Sequence, residues 1–197
     1  MVVEDVTALV LAGGASSRFG SDKTRALLGG RTILDRVVEV TVPLVSSTVV
    51  VGPWAPGGCR RVLEPERHQG PLVALEHGLH EVETELVLVL GGDHPRLSAG
   101  LLSLLVETLR STAVGVVSDA VVPRRDGRAE PLVACYRTAA ALTAASRLVE
   151  TGERRFMALL DQLDVRWLED DAWRQVDPTG GSFVDVDTPS DLDDLES

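Results

Sequence analysis

A short apolar run, Val6-Thr7-Ala8-Leu9-Val10, passes without a break into the glycine-rich stretch Leu11 to Lys23, LAGGASSRFGSDK. The run reads as a buried strand and the stretch after it as the turn that leaves its carboxyl end. Gly13 and Gly14 remove side chains where a backbone has to approach a ligand, and successive N–H groups in such a turn form an anion-binding concavity. Arg18 and Lys23 add positive charge, with Lys23 suited to act as a point charge on a phosphate. The spacing of Gly13, Gly14 and Gly20 fits neither G-x-x-x-x-G-K-[ST] nor G-x-G-x-x-G, which argues against a kinase-type P-loop and a dinucleotide fold. A bare Gly-Gly turn is ordinarily geometry alone. Here it is combined with Ser16, Ser17, Arg18, Gly20, Asp22 and Lys23, and that combination points to a nucleotide.

Downstream, apolar runs alternate with helical patterns. Thr32 to Val42 predicts a helix that buries Ile33, Leu34, Val37, Val38 and Val42, and Ser47 to Val51 a strand ended by Gly52-Pro53. Trp54 to Gly58 reads as a loop. Gly70-Pro71-Leu72 opens a helix with Pro71 in its first turn, where a missing N–H costs nothing. Glu85 to Leu90 is a strand that runs into Gly91-Gly92-Asp93-His94-Pro95. An acid at the carboxyl end of a parallel strand lies where open α/β sheets bind ligands, so Asp93 is a candidate Mg²⁺ ligand, although a turn acid bonding its own backbone explains the same residues. His68, His77, His80 and His94 have no evident partners and read as surface or satisfied side chains.

Ser98 is placed to cap a helix through Leu109, and Ala113 to Val117 reads as a strand. The stretch from Val121 to Arg128 contains Asp126-Gly127 and several charges, the pattern of an exposed turn or hairpin. Glu130 to Tyr136 is a strand candidate, Ala139 to Val149 an alanine-rich helix, Ala158 to Leu163 a shorter one, and Val165 to Leu168 a strand followed by an acidic loop. Phe183 to Asp187 alternates as a strand does. Thr188, Pro189 and Asp191 then form a capping-box-like helix start.

These elements predict an α/β fold: a single three-layer Rossmann-like domain over residues 1–197, its mainly parallel sheet covered on both faces. A chain of 197 residues supports one such domain with a full core. The formal charge of −11 argues against nonspecific nucleic-acid binding, so an anionic ligand depends on local basic residues and a divalent cation. Cys59 and Cys135, without a C-x-x-C pair, suggest free thiols. No apolar run reaches membrane-spanning length and the N-terminal MVVEDV carries early acids, which makes the cytoplasm the expected compartment.

The pattern L-A-G-G-x-S-x-R-x-G-x-D-K resembles the signature loop of the MobA-like nucleotidyltransferases, in particular those that guanylylate the molybdenum cofactor. The G-D-x-P at Asp93, the E-P-L-x-x-x-Y from Glu130, the G-E-R-R at Arg154 and Arg155, and the T-P-x-D-L at Thr188 follow in that family's order. The resemblance implies transfer of GMP from GTP to the terminal phosphate of molybdopterin, with release of pyrophosphate. It implies catalytic roles for Arg18, Lys23 and Asp93, and nucleotide contacts from Leu11, Ala12, Gly13, Gly14, Lys23, Gly52, Glu64 and Asp93. It further implies Mg²⁺ on Asp93, Asp185 and Asp187, and molybdopterin bordered by Arg124, Arg128, Glu130, Arg154 and Arg155. Arg124, Arg125, Arg128, Arg154 and Arg155 would then form a basic patch, unless they are solvated loop charges.

The chain departs from the family pattern at Asp185 and Asp187, where asparagine is usual: an oxygen ligand is kept, an amide donor is lost and charge is added. GTP and molybdopterin are the implied substrates, with molybdoenzymes or their chaperones as further partners. A cytidylyltransferase remains open, though LAGG rather than LAAG favours guanine. So do a transferase for another phosphorylated metabolite and a nucleotide-binding carrier without turnover.

Overall fold

The computed structural model of the chain describes residues 5–13, 19, 22–64, 69–111 and 117–196. Strand β1 (Val6–Leu11) leads to a 3-10 turn at Lys23–Arg25, the small hairpin β2 (Leu27–Leu28) and β3 (Arg31–Thr32), and helix α1 (Ile33–Thr41). Then come β4 (Ser47–Val51), β5 (Arg60–Val62), α2 (Pro71–Leu79), β6 (Leu86–Gly91) and α3 (Ala99–Arg110). The second half holds β7 (Ala120–Arg125), β8 (Arg128–Ala129), β9 (Val133–Arg137), α4 (Thr138–Glu150), α5 (Met157–Leu160) and β10 (Val165–Leu168). It finishes with α6 (Asp170–Trp173), a 3-10 turn at Gly181–Phe183, and α7 (Pro189–Glu196).

The main sheet runs in the order β10-β7-β9-β6-β1-β4-β5, with β8 attached to β7. The pairs β1–β4, β1–β6, β4–β5 and β7–β10 are parallel, whereas β9 is antiparallel to both of its neighbours and β8 to β7. The fold is therefore an α/β domain with a mostly parallel mixed sheet. From β1 the chain moves outward through β4 and β5, then crosses back to lay β6 on the other side of β1. That reversal creates a switch point at the carboxyl ends of β1 and β6, where side chains and ligands have room to enter.

Both faces are covered. Val6, Ala8 and Val10 of β1, with Leu86, Leu88 and Leu90 of β6, pack into one cluster with α1 and α3. Leu9, Val87 and Val89 point the other way, into a second cluster with α2, α4 and α5. With no face left for water, the strands are apolar at successive positions instead of alternating with polar residues.

Helix starts follow their caps. Thr32 accepts from the Asp35 N–H at 3.0 Å, Ser98 accepts from Leu101 N–H at 3.3 Å, and Pro71 sits in the first turn of α2. Val42 ends α1 exposed to solvent, and Thr41 takes the buried position with its hydroxyl on the Val38 carbonyl at 2.8 Å. The Asp126-Gly127 pair turns the β7–β8 hairpin with positive φ at both residues, the geometry this dipeptide favours. Val121 and Val122, expected in an exposed turn or hairpin, are instead fully buried strand residues, and only the Arg124–Ala129 end projects as a hairpin.

Two further expectations are corrected. Phe183 to Asp187 is not a strand: Val184 is extended, but its segment joins no ladder among the described residues and is tied to the loop after β6 by a bond from Val186 N–H to the Asp93 carbonyl at 3.0 Å. The alternation has another source, since Phe183 and Val186 are buried while Asp185 and Asp187 face outward. The acidic loop after β10 contains α6, which buries Trp173 edge-on against Phe183 at 4.9 Å between ring centres. The expected strand at 113–117 lies outside the described residues apart from Val117.

Candidate active site

The carboxyl edge of the sheet is built by three tight backbone passages. Ala12 N–H donates to the Val51 carbonyl at 2.8 Å, Gly92 N–H to the Leu11 carbonyl at 2.9 Å, and Gly52 N–H to the Val62 carbonyl at 3.0 Å. A Cβ at Gly52 would stand 3.0 Å from the Ala12 oxygen, and one at Gly92 3.0 Å from Ala12 Cα. Ala12 is thus flanked by glycine on both sides, because any side chain there would push the strand ends apart. Leu11 closes β1. Gly13 lies next to the Glu64 carboxylate, whose Oε2 would be 3.2 Å from a Cβ placed on Gly13. Gly14, Ser16, Ser17, Arg18 and Gly20 lie outside the described residues, as does His68.

Lys23 is carried by the 3-10 turn that follows. Asp22 caps the turn by accepting from the Thr24 N–H at 3.1 Å and the Thr24 hydroxyl at 2.7 Å. From the loop after β4, Trp54 donates its indole N–H to the Thr24 oxygen at 3.3 Å. The backbone under Lys23 is therefore fixed by contacts that do not use its ammonium. Lys23 Nζ instead lies 2.6 Å from Asp93 Oδ2 and 2.7 Å from Asp187 Oδ1. Burial pulls the Lys23 pKa down, but Asp93 and Asp187 outweigh it and hold the ammonium above its ordinary value.

Asp93 follows β6 directly. Gly91 leaves room for it: a Cβ at Gly91 would meet the His94 ring and Asp93 Oδ1 within 2.8 Å. His94 is buried, and its Nδ1 lies 3.0 Å from the Ser182 carbonyl oxygen, to which it must donate. It is a satisfied histidine, as expected, although one that reaches the site, with Nε2 3.5 Å from Asp93 Oδ1.

The segment carrying Asp185 and Asp187 is fixed from behind. Asp177, buried, accepts from Gly181 N–H at 3.1 Å and Ser182 N–H at 2.9 Å. Ser182 in turn accepts from Ser98 N–H through its hydroxyl at 2.8 Å. With the Val186 bond to Asp93, this brings one carboxylate oxygen from each of Asp93, Asp185 and Asp187 within 4.8 Å of the others. Three hard oxygen donors at this separation suit Mg²⁺, which takes a few carboxylates and fills its remaining positions with water and phosphate.

The arginines fall into two groups. Arg124 stacks over Trp167 at 3.8 Å and pairs with Glu169 at 3.2 Å, and Arg128 is exposed on β8. Arg125 pairs with Glu130 at 3.0 Å. Burial pushes the Glu130 carboxyl above its ordinary value despite Arg125, and Glu130 lies within electrostatic reach of His94 and Asp185. Arg154 and Arg155 occupy the loop between α4 and α5, which packs against Gly70 at the start of α2. Arg155 pairs with Glu153 at 2.7 Å, and Arg154 donates to the Val149 carbonyl at 3.2 Å. Arg124, Arg125 and Arg155 thus carry acidic partners.

Sequence reasoning passed over Trp54, Asp177 and Ser182. Asp177 had one signal, an acid directly ahead of Pro178-Thr179-Gly180-Gly181, where a side-chain acceptor can hold a tight turn. Trp54 had none beyond its place after a strand end.

A Chloroflexus aggregans protein named probable molybdenum cofactor guanylyltransferase is 32% identical over 95% of this chain and 91% of its own length. A Desulfosudis oleivorans protein named molybdenum cofactor guanylyltransferase is 29% identical over 99% and 96%. The crystal structure of molybdopterin-guanine dinucleotide biosynthesis protein A from Archaeoglobus fulgidus shares the fold, with a TM-score of 0.79, 24% identity and 96% of each chain covered. Residues 8–177 match the MobA-like NTP transferase domain. The stretch that brings Lys23 to the strand ends and Asp93 after β6 lies inside that match, and the chain belongs to the MobA-like NTP transferase family.

Proposed function

We propose that the chain transfers GMP from GTP to the terminal phosphate of molybdopterin and releases pyrophosphate. The observation that carries this reading is the meeting of Lys23, Asp93, Asp185 and Asp187 at the sheet switch point, in a family of NTP transferases whose full-length relatives bear the guanylyltransferase name.

An oxygen of the molybdopterin phosphate forms the new bond to the α-phosphorus as the bond to the pyrophosphate oxygen breaks, so no covalent enzyme nucleophile is required. Catalysis is then positioning and charge stabilisation. Mg²⁺ held by Asp93, Asp185 and Asp187 would supply a Lewis acid against the triphosphate charge. Lys23 contributes a second positive charge, and Arg18 is assigned a third. Leu11, Ala12, Gly13 and Gly52 would form the nucleotide floor on this reading, and Gly14 is assigned a nucleotide contact by the family motif; the Gly52 N–H is already used by Val62, leaving its close backbone surface as the contact. Glu64, beside Gly13, is assigned a nucleotide contact on this reading. Arg124, Arg128, Glu130, Arg154 and Arg155 border molybdopterin on this reading, and a molybdoenzyme or its chaperone receives the product.

The test is pyrophosphate release by the purified protein with Mg²⁺ and molybdenum-loaded molybdopterin, run in parallel with GTP, CTP, ATP and UTP. Release with GTP alone is expected. Preference for CTP would change the product, and silence with all four despite GTP binding would remove molybdopterin as the acceptor and leave another acceptor or a nucleotide-binding carrier.

A further inference from the structure

Lys23 is asked to do two things that use the same atoms. As a phosphate ligand it must direct its ammonium at the triphosphate. In the structure that ammonium is committed to Asp93 Oδ2 and Asp187 Oδ1, at 2.6 and 2.7 Å. Those two residues supply two of the three carboxylates of the cluster that fits a divalent cation. The Lys23 and Asp93 side chains are 17% and 21% exposed, so that pair is partly shielded from water, whereas Asp187 at 53% is the open partner through which exchange can begin.

We propose that Lys23 is an exchangeable internal counter-ion that makes metal and nucleotide binding interdependent. A divalent ion on Asp93 and Asp187 displaces the ammonium, and the freed ammonium becomes available to a triphosphate. A triphosphate that draws Lys23 away leaves the carboxylates unneutralised and receptive to the metal. Each ligand removes the competitor of the other, and by linkage the coupling is equal in both directions. The ammonium brings one charge to three carboxylates, so the cluster retains attraction for a cation and the exchange is reversible. This inference rests on the metal-site reading above.

The turn beneath Lys23 is held by Asp22, Thr24 and Trp54 and not by the Lys23 side chain, so neutral substitutions there leave the backbone in place. The experiment titrates the full-length protein with Mn²⁺ alone, followed by electron paramagnetic resonance, in wild type, Lys23→Met, Lys23→Gln and Asp93→Asn. Lys23→Met and Lys23→Gln are expected to bind Mn²⁺ on the order of tenfold more tightly than wild type, because an adjacent competing charge has gone. In a second arm, with chelator and no metal, a non-hydrolysable GTP analogue is expected to bind Asp187→Asn several-fold more tightly than wild type, since Lys23 has lost one partner. Unchanged or weaker Mn²⁺ binding in both Lys23 variants, with binding lost in Asp93→Asn, overturns the exchange and leaves the metal site standing. Mn²⁺ binding in Asp93→Asn equal to wild type overturns the metal site and the exchange with it.

Discussion

Val186 donates its backbone N–H to the carbonyl of Asp93 at 3.0 Å, and this bond joins the last irregular segment of the chain to the end of β6. It sets Asp185 and Asp187, on either side of Val186, against Asp93 without any strand ladder. The carboxylate cluster is therefore only as well placed as the anchors of that segment.

Asp177 is the first of those anchors to test. Asp177→Ala leaves the buried Ser182 N–H and the half-buried Gly181 N–H without their acceptor, and a loss of about 1–3 kcal/mol in stability is expected. Mn²⁺ affinity should fall by more than nucleotide affinity measured without metal. Equal losses in both, with stability unchanged, would show that Asp177 does not position the carboxylates.

Asp93→Asn keeps the shape and one oxygen but removes the charge nearest β6. Turnover is expected to drop by at least about a hundredfold, in the range typical for removing one preorganised electrostatic group. Circular dichroism and the unfolding midpoint should be nearly unchanged, because Asp93 belongs to neither core cluster. A variant with normal pyrophosphate release would take Asp93 out of the reaction.

Trp54 offers a built-in reporter. Its indole N–H is bonded to Thr24, next to Lys23, whereas Trp173 is fully buried and Trp167 is covered by Arg124. Nucleotide binding should change the intrinsic emission, and Trp54→Phe should abolish that change while retaining measurable binding by calorimetry. Persistence of the signal in Trp54→Phe would assign it to another tryptophan.

Gly78 decides how closely α2 lies on the sheet. A Cβ there would come within 2.6 Å of Leu9 Cδ1 and Val51 Cγ2. Alanine gains up to about 1 kcal/mol in helix propensity, but overpacking against a β-branched strand residue costs about 1–3 kcal/mol, so Gly78→Ala should be net destabilising. Urea unfolding measures the sign directly, and a stabilised variant would mean that α2 can shift outward at little cost.

Asp191 carries a pH signature. Its carboxylate accepts from Thr188 N–H at 2.7 Å and Asp187 N–H at 2.8 Å, and these backbone bonds hold its pKa below the ordinary 3.8. A carboxyl depressed in the folded state contributes stability that is complete above 3.8 and disappears as the pH falls through the folded-state value. Its NMR titration midpoint should lie below 3.8, with amide protection of Asp187 and Thr188 lost over the same range. A midpoint at or above 3.8 would contradict the capping geometry.

Much of this was legible in the sequence, for local reasons. The spans of α1, α3 and β4 follow from caps and apolar periodicity that act within a few residues, and Lys23 and Asp93 were visible because glycines mark the strand ends that carry them. The segment after Phe183 was misread because burial at Phe183 and Val186 imitates strand alternation when the partners are α6 and the end of β6. Helix α6 was hidden in acids without an apolar repeat. Asp177 holds a turn four and five residues ahead of it, whereas Trp54 and Ser182 act across long sequence separations, such as the 84 residues between Ser98 and Ser182. No local pattern announces a contact of that kind.

The ion pair between Lys23 and Asp187 spans 164 residues of chain. Every strand of the main sheet is complete by Leu168, so residues 183–187 add two carboxylates to a sheet that the preceding sequence already encodes. The sheet is thus encoded before its chemistry, and ligand capture becomes a marker of a chain carried through to the acidic segment. A chain interrupted just short of that segment would keep every strand of the sheet, yet lose Asp185 and Asp187 together with the buried Phe183 that packs on Trp173.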